Sequence, residues 1–128
     1  MAEKRLVRVL MVDDNKEHVN LCSEYLPKDE FALDPAYDAA QALVKLKANQ
    51  YDILILDYAL PDMNGIDLMK KIKPLGLNVP MIFVSAYDDP DLSFEALRAG
   101  ACDYVVKTFQ YYEGLKDRIL ENLDTCRT

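Results

Sequence analysis

Short apolar runs that alternate with segments of helical periodicity constrain the fold of this 128-residue chain more than any other feature. Four runs are almost continuously apolar, as parallel strands covered on both faces are: Leu6–Val12, Ile53–Leu56, Met81–Val84 and the shorter Val105–Val106. Segments with apolar residues at helical spacing follow them. Together with a fifth and weaker run, Phe31–Leu33, the pattern predicts an α/β domain whose parallel sheet has helices on both faces.

The weaker run also indicates its place in the sheet, because Pro35 follows it. Proline has no N–H group to donate to a neighbouring strand, so this strand is predicted to lie at an edge. The chain length fits one domain, and no linker or repeat divides the sequence. We therefore expect a single domain, residues 1–128, with an ordered core of about residues 5–124.

Capping residues predict where several helices begin and end. Asp38, with Gln41 three residues later, fits the start of the second helix. Asp89 followed by Pro90 fits the start of the fourth helix, and Gly100 is placed to end it. The other helices are predicted from apolar periodicity at about Asn15–Leu26, at about Gly65–Ile72 and along the stripe Tyr112, Leu115, Ile119 and Leu123.

The charge of the chain and its lack of long apolar segments exclude several classes of partner. The net charge of −7 and the pI of about 4.6 would repel a phosphate backbone, so direct binding to nucleic acid is not expected. No apolar run reaches the ~20 residues that span a bilayer, and the amino-terminal residues lack a signal-peptide pattern. We therefore expect a cytoplasmic protein without membrane contact.

The cysteines and the histidine do not support a metal site built from sulfur or imidazole. Cys22, Cys102 and Cys126 include no C-x-x-C pair, so neither a zinc site nor a thioredoxin motif is indicated, and reduced thiols are expected. His18 is the only histidine in the sequence. We expect it to be a solvated residue on the first helix.

Polar side chains stand where four of the predicted strands end. They are Asp13 and Asp14 for the first strand, Asp57 for the third, Ser85 for the fourth and Lys107 for the fifth. In an open parallel sheet these strand ends meet at one edge. Three carboxylates there would repel one another unless they held a cation, and an all-oxygen set favours Mg²⁺, with Mn²⁺ as the alternative. A lysine and a serine beside the cation suit a phosphoryl group, which a carboxylate can accept covalently.

Four segments that contain these residues resemble the receiver domain of two-component response regulators. They are VDDN at 12–15, LDYALPDMNG at 56–65, VSA at 84–86 and AGACDYVVK at 99–107. Their order and spacing are those of the family, and the resemblance covers nearly the whole chain. It implies a doubly wound, flavodoxin-like α/β fold, in which a five-stranded parallel sheet has the order 2-1-3-4-5 and is accompanied by five helices.

The resemblance implies the following roles at the acidic site. Asp57 would be the phospho-acceptor, and Asp14 and Asp57 would ligate Mg²⁺. The backbone carbonyl of Ala59 would be a further ligand, and Asp13 would act through a bound water. Lys107 would pair with the Asp57 carboxylate and then with the phosphoryl group.

Ser85 and Tyr104 would be the switch residues of such a domain. Ser85 would shift to hydrogen-bond the phosphoryl group, and Tyr104 would move inward after it. The surface of the fourth helix, fifth strand and fifth helix, about Asp91–Leu123, would then change and could also mediate a dimer. The implied function is a signalling switch in a phosphorelay, phosphorylated by a histidine kinase or a histidine phosphotransfer protein.

A receiver of this kind catalyses only its own phosphorylation and dephosphorylation, so a conventional turnover enzyme is not expected. The resemblance also implies a downstream target, or an output domain in a larger regulator, which the sequence does not name. It gives no kinase, pathway or phosphoryl lifetime.

The chain departs from the family after the lysine, where proline usually follows through a cis peptide bond and Thr108 stands here. A cis bond before a residue other than proline costs ~3–4 kcal/mol. The Lys107–Thr108 bond is therefore either cis and strained or trans, and the cost favours trans. The departure also leaves open a second interpretation, a receiver-like binding module that works without phosphorylation.

Two other classes of protein fit the pattern less well. A haloacid-dehalogenase-type phosphatase would need a second aspartate two residues after the first, and Ala59 occupies that position. A flavin-binding domain would need a Ser/Thr/Gly-rich phosphate loop after the first strand, where Asp13, Asp14 and Asn15 stand instead.

Overall fold

Five strands form one sheet in the computed structural model, which describes residues 5–108 and 111–126. The strands are β1 Val7–Val12, β2 Phe31–Ala36, β3 Ile53–Asp57, β4 Met81–Ser85 and β5 Asp103–Val106. The helices are α1 Lys16–Tyr25, α2 Ala39–Ala48, α3 Gly65–Ile72, α4 Pro90–Arg98 and α5 Leu115–Cys126. Two short 3-10 helices, Lys73–Leu75 and Tyr111–Gly114, follow α3 and precede α5. None of the helices within the described ranges has the length and hydrophobicity that a bilayer crossing requires.

All strands are parallel and lie in the order β2-β1-β3-β4-β5, which confirms the predicted topology. Helices α2, α3 and α4 pack on one face of the sheet, and α1 and α5 pack on the other. Successive strand residues point to opposite faces, so Leu10 and Val12 join the first layer, and Val9 and Met11 join the second. Both faces are therefore covered, as the continuous apolar runs predicted.

The predicted edge position of β2 is confirmed, and the strand continues through Pro35 to Ala36. The carbonyls of Glu30 and Ala36 accept hydrogen bonds from the neighbouring β1 segment. The backbone N–H and carbonyl groups of alternate residues in β2 point to opposite sides, and those of Pro35 point away from β1. The missing N–H of Pro35 therefore removes no hydrogen bond from the pairing of β1 with β2. Its outward carbonyl accepts a hydrogen bond from Lys45 Nζ at 2.6 Å.

Side chains cap four helices, with Asn15, Asp38, Asn64 and Asp89 at the starts of α1, α2, α3 and α4. The sequence predicted two of these caps, Asp38 and Asp89. Gly100 has a φ of 117°, in the region that favours glycine, and it follows the end of α4 as predicted. Since the capped starts lie just beyond the strand ends, the caps also fix the loops at the carboxyl edge of the sheet.

One expectation about the cysteines is wrong. Cys22 is a free, buried thiol on α1, as expected. Cys102 takes part in a disulfide bond, so it is not a reduced thiol. Widely spaced cysteines without a motif carry no signal for or against pairing. The side chain of Cys126 lies outside the described part of the chain.

Candidate functional site

Three carboxylates converge at the carboxyl edge of the sheet. Asp13 and Asp14 follow β1, and Asp57 is the last residue of the adjacent strand β3. One carboxylate oxygen from each residue lies within 4.8 Å of the other two. Asp13 and Asp57 are buried and Asp14 is exposed, so the cluster opens to solvent on one side. Such a set of oxygen ligands fits a hard divalent cation such as Mg²⁺.

Lys107 lies directly after β5 and bridges two of these acids. Its ammonium Nζ is 3.0 Å from Asp13 Oδ2 and 3.2 Å from Asp57 Oδ2. Its backbone N–H donates to the Ser85 carbonyl at 2.7 Å, which extends the β4–β5 pairing by one residue. Burial alone would lower the pKa of Lys107, but the charges of Asp57 and Asp13 outweigh this effect and raise the pKa. The amine therefore stays charged.

The surroundings of Asp57 disfavour its negative charge. Burial raises the pKa of Asp57 to about 6, and the neighbouring charges of Asp13 and Asp14 add to the rise, whereas Lys107 opposes it. A divalent cation would offset this repulsion and favour the ionised carboxylate. The charge distribution of the cluster is therefore suited to a bound metal ion.

The loop after β3 is folded tightly against Asp57. The Gly65 N–H donates to the Tyr58 carbonyl at 2.8 Å, and Ala59 pairs with Asn64 in an isolated antiparallel bridge. A Cβ atom on Gly65 would lie 2.4 Å from the backbone oxygen of Asp57, so the approach requires glycine. This closed loop contains Ala59, the carbonyl ligand that the family resemblance implied, two residues beyond Asp57.

Ser85 and Tyr104 both contact the backbone of Tyr87, in the loop between β4 and α4. Ser85 is fully buried, and its Oγ accepts the Tyr87 N–H at 3.0 Å. The ring of Tyr104 stacks on Phe83, with centroids 5.6 Å apart, and its hydroxyl donates to the Tyr87 carbonyl at 2.6 Å. The two residues expected to act as a switch are thus connected through one loop residue. Sequence reasoning missed this connection, because a backbone contact leaves no signal in the residue type.

His18 is half-buried against Tyr111, which corrects the prediction that it is a solvated residue. Its ring stacks on Tyr111, with centroids 4.9 Å apart, and its Nε2 is hydrogen-bonded to the Tyr111 hydroxyl. Nε2 also lies 3.8 Å from Asp13 Oδ2, and the side chain is only 16% exposed. Burial lowers the pKa of His18, so the ring is neutral at neutral pH.

The peptide bond between Lys107 and Thr108 is trans, as the cost of a cis bond predicted. The Thr108 N–H donates to the Val106 carbonyl at 2.8 Å, a bond that proline could not form. Although Thr108 stands where the family usually has proline, the Lys107 ammonium lies within 3.2 Å of both Asp13 and Asp57.

Residues 9–119 match the family model of the response regulator receiver domain. The matched stretch contains the three acids, Ser85, Tyr104 and Lys107. The chain belongs to the receiver domain family of response regulators, and the predicted family is confirmed.

The curated relatives are longer than this chain. The response regulator SaeR of Staphylococcus epidermidis is 34% identical over 104 residues, which make up 81% of this chain and 45% of SaeR. The transcriptional regulatory protein CutR of Streptomyces coelicolor is 35% identical over 107 residues, which make up 84% of this chain and 49% of CutR. The chain thus spans less than half the length of these two relatives.

Solved structures of receiver domains share the fold. A CheY-like receiver domain protein from Methanospirillum hungatei superposes with a TM-score of 0.85 at 29% identity, over 94% of this chain and 95% of that one. The response regulator TrrA from Thermotoga maritima, solved in complex with Mg²⁺-BeF, superposes with a TM-score of 0.78 at 29% identity, over 92% of this chain and 99% of that one. Both agree with the five-stranded parallel sheet described above.

Proposed function

We propose that this receiver domain is a phosphorylation-activated signalling switch that accepts a phosphoryl group on Asp57. The observation that carries the proposal is the position of the Lys107 ammonium, 3.0 Å from Asp13 and 3.2 Å from Asp57, beside the three-carboxylate cluster. A metal ion and an ammonium group on either side of one carboxylate would neutralise the oxygens of an incoming phosphoryl group. Membership of the receiver family supports this function.

Mg²⁺ would be the resident cation, and Mn²⁺ would fit the same oxygens. Asp14 and Asp57 would ligate it directly, with the Ala59 carbonyl as a further ligand and Asp13 acting through a water. The all-oxygen donor set and the 4.8 Å spread of its carboxylate oxygens support this assignment. The related TrrA was solved with Mg²⁺-BeF, which supports it further. The ion would offset the repulsion among the acids and polarise the phosphoryl group.

The donor would be a phosphohistidine on a histidine kinase or on a histidine phosphotransfer protein. A carboxylate oxygen of Asp57 would bond to phosphorus as the P–N bond breaks, and the electron pair of that bond would stay on the histidine nitrogen. Lys107 would then contact the phosphoryl group, and Ser85 would release the Tyr87 N–H and donate its hydroxyl to a phosphoryl oxygen. Because the domain would catalyse only the phosphorylation and dephosphorylation of its own Asp57, it would not be a conventional turnover enzyme.

The response would reach the surface formed by α4, β5 and α5. Loss of the bond between Ser85 and Tyr87 would free the loop that Tyr104 also holds, and that loop leads into α4. Phe94 and Leu97 are 63% and 47% exposed on α4, which gives this surface apolar side chains for contact with a downstream target, an output domain or a second copy of the chain.

A receiver-like binding module that works without phosphorylation is the second candidate, and one observation favours it: Thr108 stands where the family usually has proline. The contacts of Lys107 with Asp13 and Asp57 argue against it, since the charged groups that the chemistry needs are present and adjacent. The two candidates differ in whether Asp57 becomes phosphorylated.

Intact-mass spectrometry after incubation with acetyl phosphate and Mg²⁺ tests the proposal. The wild type should gain one phosphoryl adduct, which Asp57→Asn and a chelator should each abolish. Asp62→Asn is the matched control, because Asp62 lies in the loop that follows Asp57 but accepts the N–H groups of Ala39 and Ala40. An adduct that persists in Asp57→Asn would place the acceptor elsewhere. No adduct with either acetyl phosphate or a phosphohistidine donor would favour the binding module.

A further inference from the structure

Thr108, which follows Lys107 in place of the family's proline, takes part in two backbone hydrogen bonds. The Thr108 N–H donates to the Val106 carbonyl at 2.8 Å, and the Tyr111 N–H donates to the Thr108 carbonyl at 3.2 Å. The second of these bonds ties the backbone of Tyr111 directly to Thr108, the neighbour of Lys107. The position at which Tyr111 is anchored therefore limits the positions that Lys107 can take.

Tyr111 is anchored on helix α1. Its ring stacks on His18 at an interplanar angle of 20°, and its hydroxyl is hydrogen-bonded to His18 Nε2. The same hydroxyl lies 3.7 Å from the Sγ atom of Cys22. Since His18 and Cys22 are one helical turn apart, the anchor is a regular element and not a loop.

The anchor borders the acidic cluster itself. His18 Nε2 lies 3.8 Å from Asp13 Oδ2, the same oxygen that accepts the Lys107 ammonium at 3.0 Å. Lys107 is therefore held at both ends: Asp13 binds its ammonium, and the hydrogen bond from Tyr111 to Thr108 restrains the backbone beside it. Asp13 lies just before α1 and Tyr111 packs against α1, so both restraints connect Lys107 to this part of the chain.

We propose that Tyr111 is a positioning residue for Lys107, with His18 as its anchor. The inference rests on the proposed function only for the contact between Lys107 and the phosphoryl group. The placement of Lys107 itself can be measured without a phosphoryl group. If the contacts of Tyr111 are removed, Tyr111 and the Thr108 carbonyl bonded to it can shift, and the Lys107 ammonium separates from the two carboxylates. The contact that would weaken is a hydrogen bond between charged groups, and we expect an effect of about tenfold on the population in which it is made.

The first measurement is the hydrogen-exchange rate of the Lys107 ammonium by ¹⁵N NMR in metal-free protein. Tyr111→Ala should accelerate exchange about tenfold, and Tyr111→Phe, which keeps the ring and loses the hydroxyl, should accelerate it less. Tyr37→Ala is the matched control, because Tyr37 packs against the same core layer but contacts Lys16, 5.1 Å from its ring. Unchanged exchange in both Tyr111 variants, or an equal change in Tyr37→Ala, would overturn the proposal.

The second measurement is the affinity for beryllofluoride, an analogue of the phosphoryl group, with Mg²⁺ present, by ¹⁹F NMR. Tyr111→Ala should weaken binding about tenfold and should have no further effect in a Lys107→Ala background. An equal loss in both backgrounds would mean that Tyr111 acts only on the general structure, and the proposal would fail. If the wild type binds no beryllofluoride while the Tyr111 variants still release the ammonium, the positioning role stands and the proposed function fails.

Discussion

The side chains of Ser85 and Tyr104 bind the two polar backbone groups of a single residue, Tyr87. Ser85 Oγ accepts a hydrogen bond from the Tyr87 N–H, and the Tyr104 hydroxyl donates one to the Tyr87 carbonyl. Neither hydroxyl can leave its bond without loosening the loop between β4 and α4. A movement of Ser85 would therefore disturb the same residue that Tyr104 binds, and the ring of Tyr104 lies on Phe83 of β4.

Removing the Tyr104 hydroxyl should loosen this loop. Tyr104→Phe loses one hydrogen bond, which should lower the free energy of unfolding by about 1 kcal/mol and accelerate amide exchange at Tyr87. The control is Tyr58→Phe, because the Tyr58 ring also packs against Phe83, at 6.0 Å, without reaching Tyr87. Equal exchange at Tyr87 in the two variants would show that Tyr104 does not hold the loop. Urea unfolding and NMR exchange measure both effects.

The close approach of Gly65 to Asp57 should make this glycine irreplaceable. In Gly65→Ala the new methyl group would lie 2.4 Å from the Asp57 backbone oxygen, so the loop or α3 must move, at a cost of about 1–3 kcal/mol. Gly114→Ala is the control, since nothing lies within 4 Å of its Cβ position. Urea unfolding should show a large loss for the first variant and little change for the second. Similar stabilities would contradict the tight packing of the loop.

The raised pKa of Asp57 predicts a pH dependence of stability in metal-free buffer. The pKa is about 6 in the folded protein and near 3.9 in an unfolded chain, so the folded state binds the proton more tightly. The metal-free fold therefore loses stability from this group as the pH rises from about 4 to 6, by on the order of 2–3 kcal/mol.

Asp57→Asn should then be more stable than the wild type at pH 8 without metal, and by less at pH 5. The control is Asp52→Asn, at the other end of β3, where the buried carboxylate accepts hydrogen bonds from Arg5 and from the Arg8 N–H. That variant should be less stable than the wild type at both pH values. Urea unfolding at the two pH values measures these differences, and a stability gain of Asp57→Asn that does not grow with pH would contradict the prediction.

Metal binding should stabilise the folded protein through the acidic cluster. At an Mg²⁺ concentration 100 times the dissociation constant, the free energy of unfolding should rise by about 2.7 kcal/mol. Asp14→Asn should lose most of this gain, because Asp14 contributes one of the three clustered carboxylates. Asp88→Asn, an exposed acid in the β4–α4 loop, should keep it. Thermal unfolding with and without a chelator is the measurement, and an equal gain in both variants would place the ion elsewhere.

Features that depend on residue type and strand position could be predicted from the sequence. Asp13, Asp57 and Lys107 were found because the carboxyl ends of parallel strands share one edge, and the structure brings these three into contact. Pro35 indicated the edge strand because a residue without an N–H is tolerated only there. In both cases one physical requirement selects the residue type.

Contacts between distant segments could not be predicted. His18 and Tyr111 are 93 positions apart, and no pattern in the sequence pairs them. The sequence did contain a signal that His18 faces the core. His18 lies next to Val19 and one helical turn before Cys22, and Val19 and Cys22 are both buried on α1. The contacts to Tyr87 had none, because any residue offers the same backbone groups.

The outer edge of β2 gives this protein protection against association through its strands. At Pro35, the carbonyl groups of a strand from another molecule would meet no N–H donor. The N–H groups of that strand would meet a Pro35 carbonyl that is already bonded to the Lys45 ammonium. The Lys45 ammonium, which is also paired with Asp34 at 2.6 Å, would have to be displaced before a second backbone could come near. Even at high concentration, therefore, this edge is a poor template for the growth of a sheet across molecules.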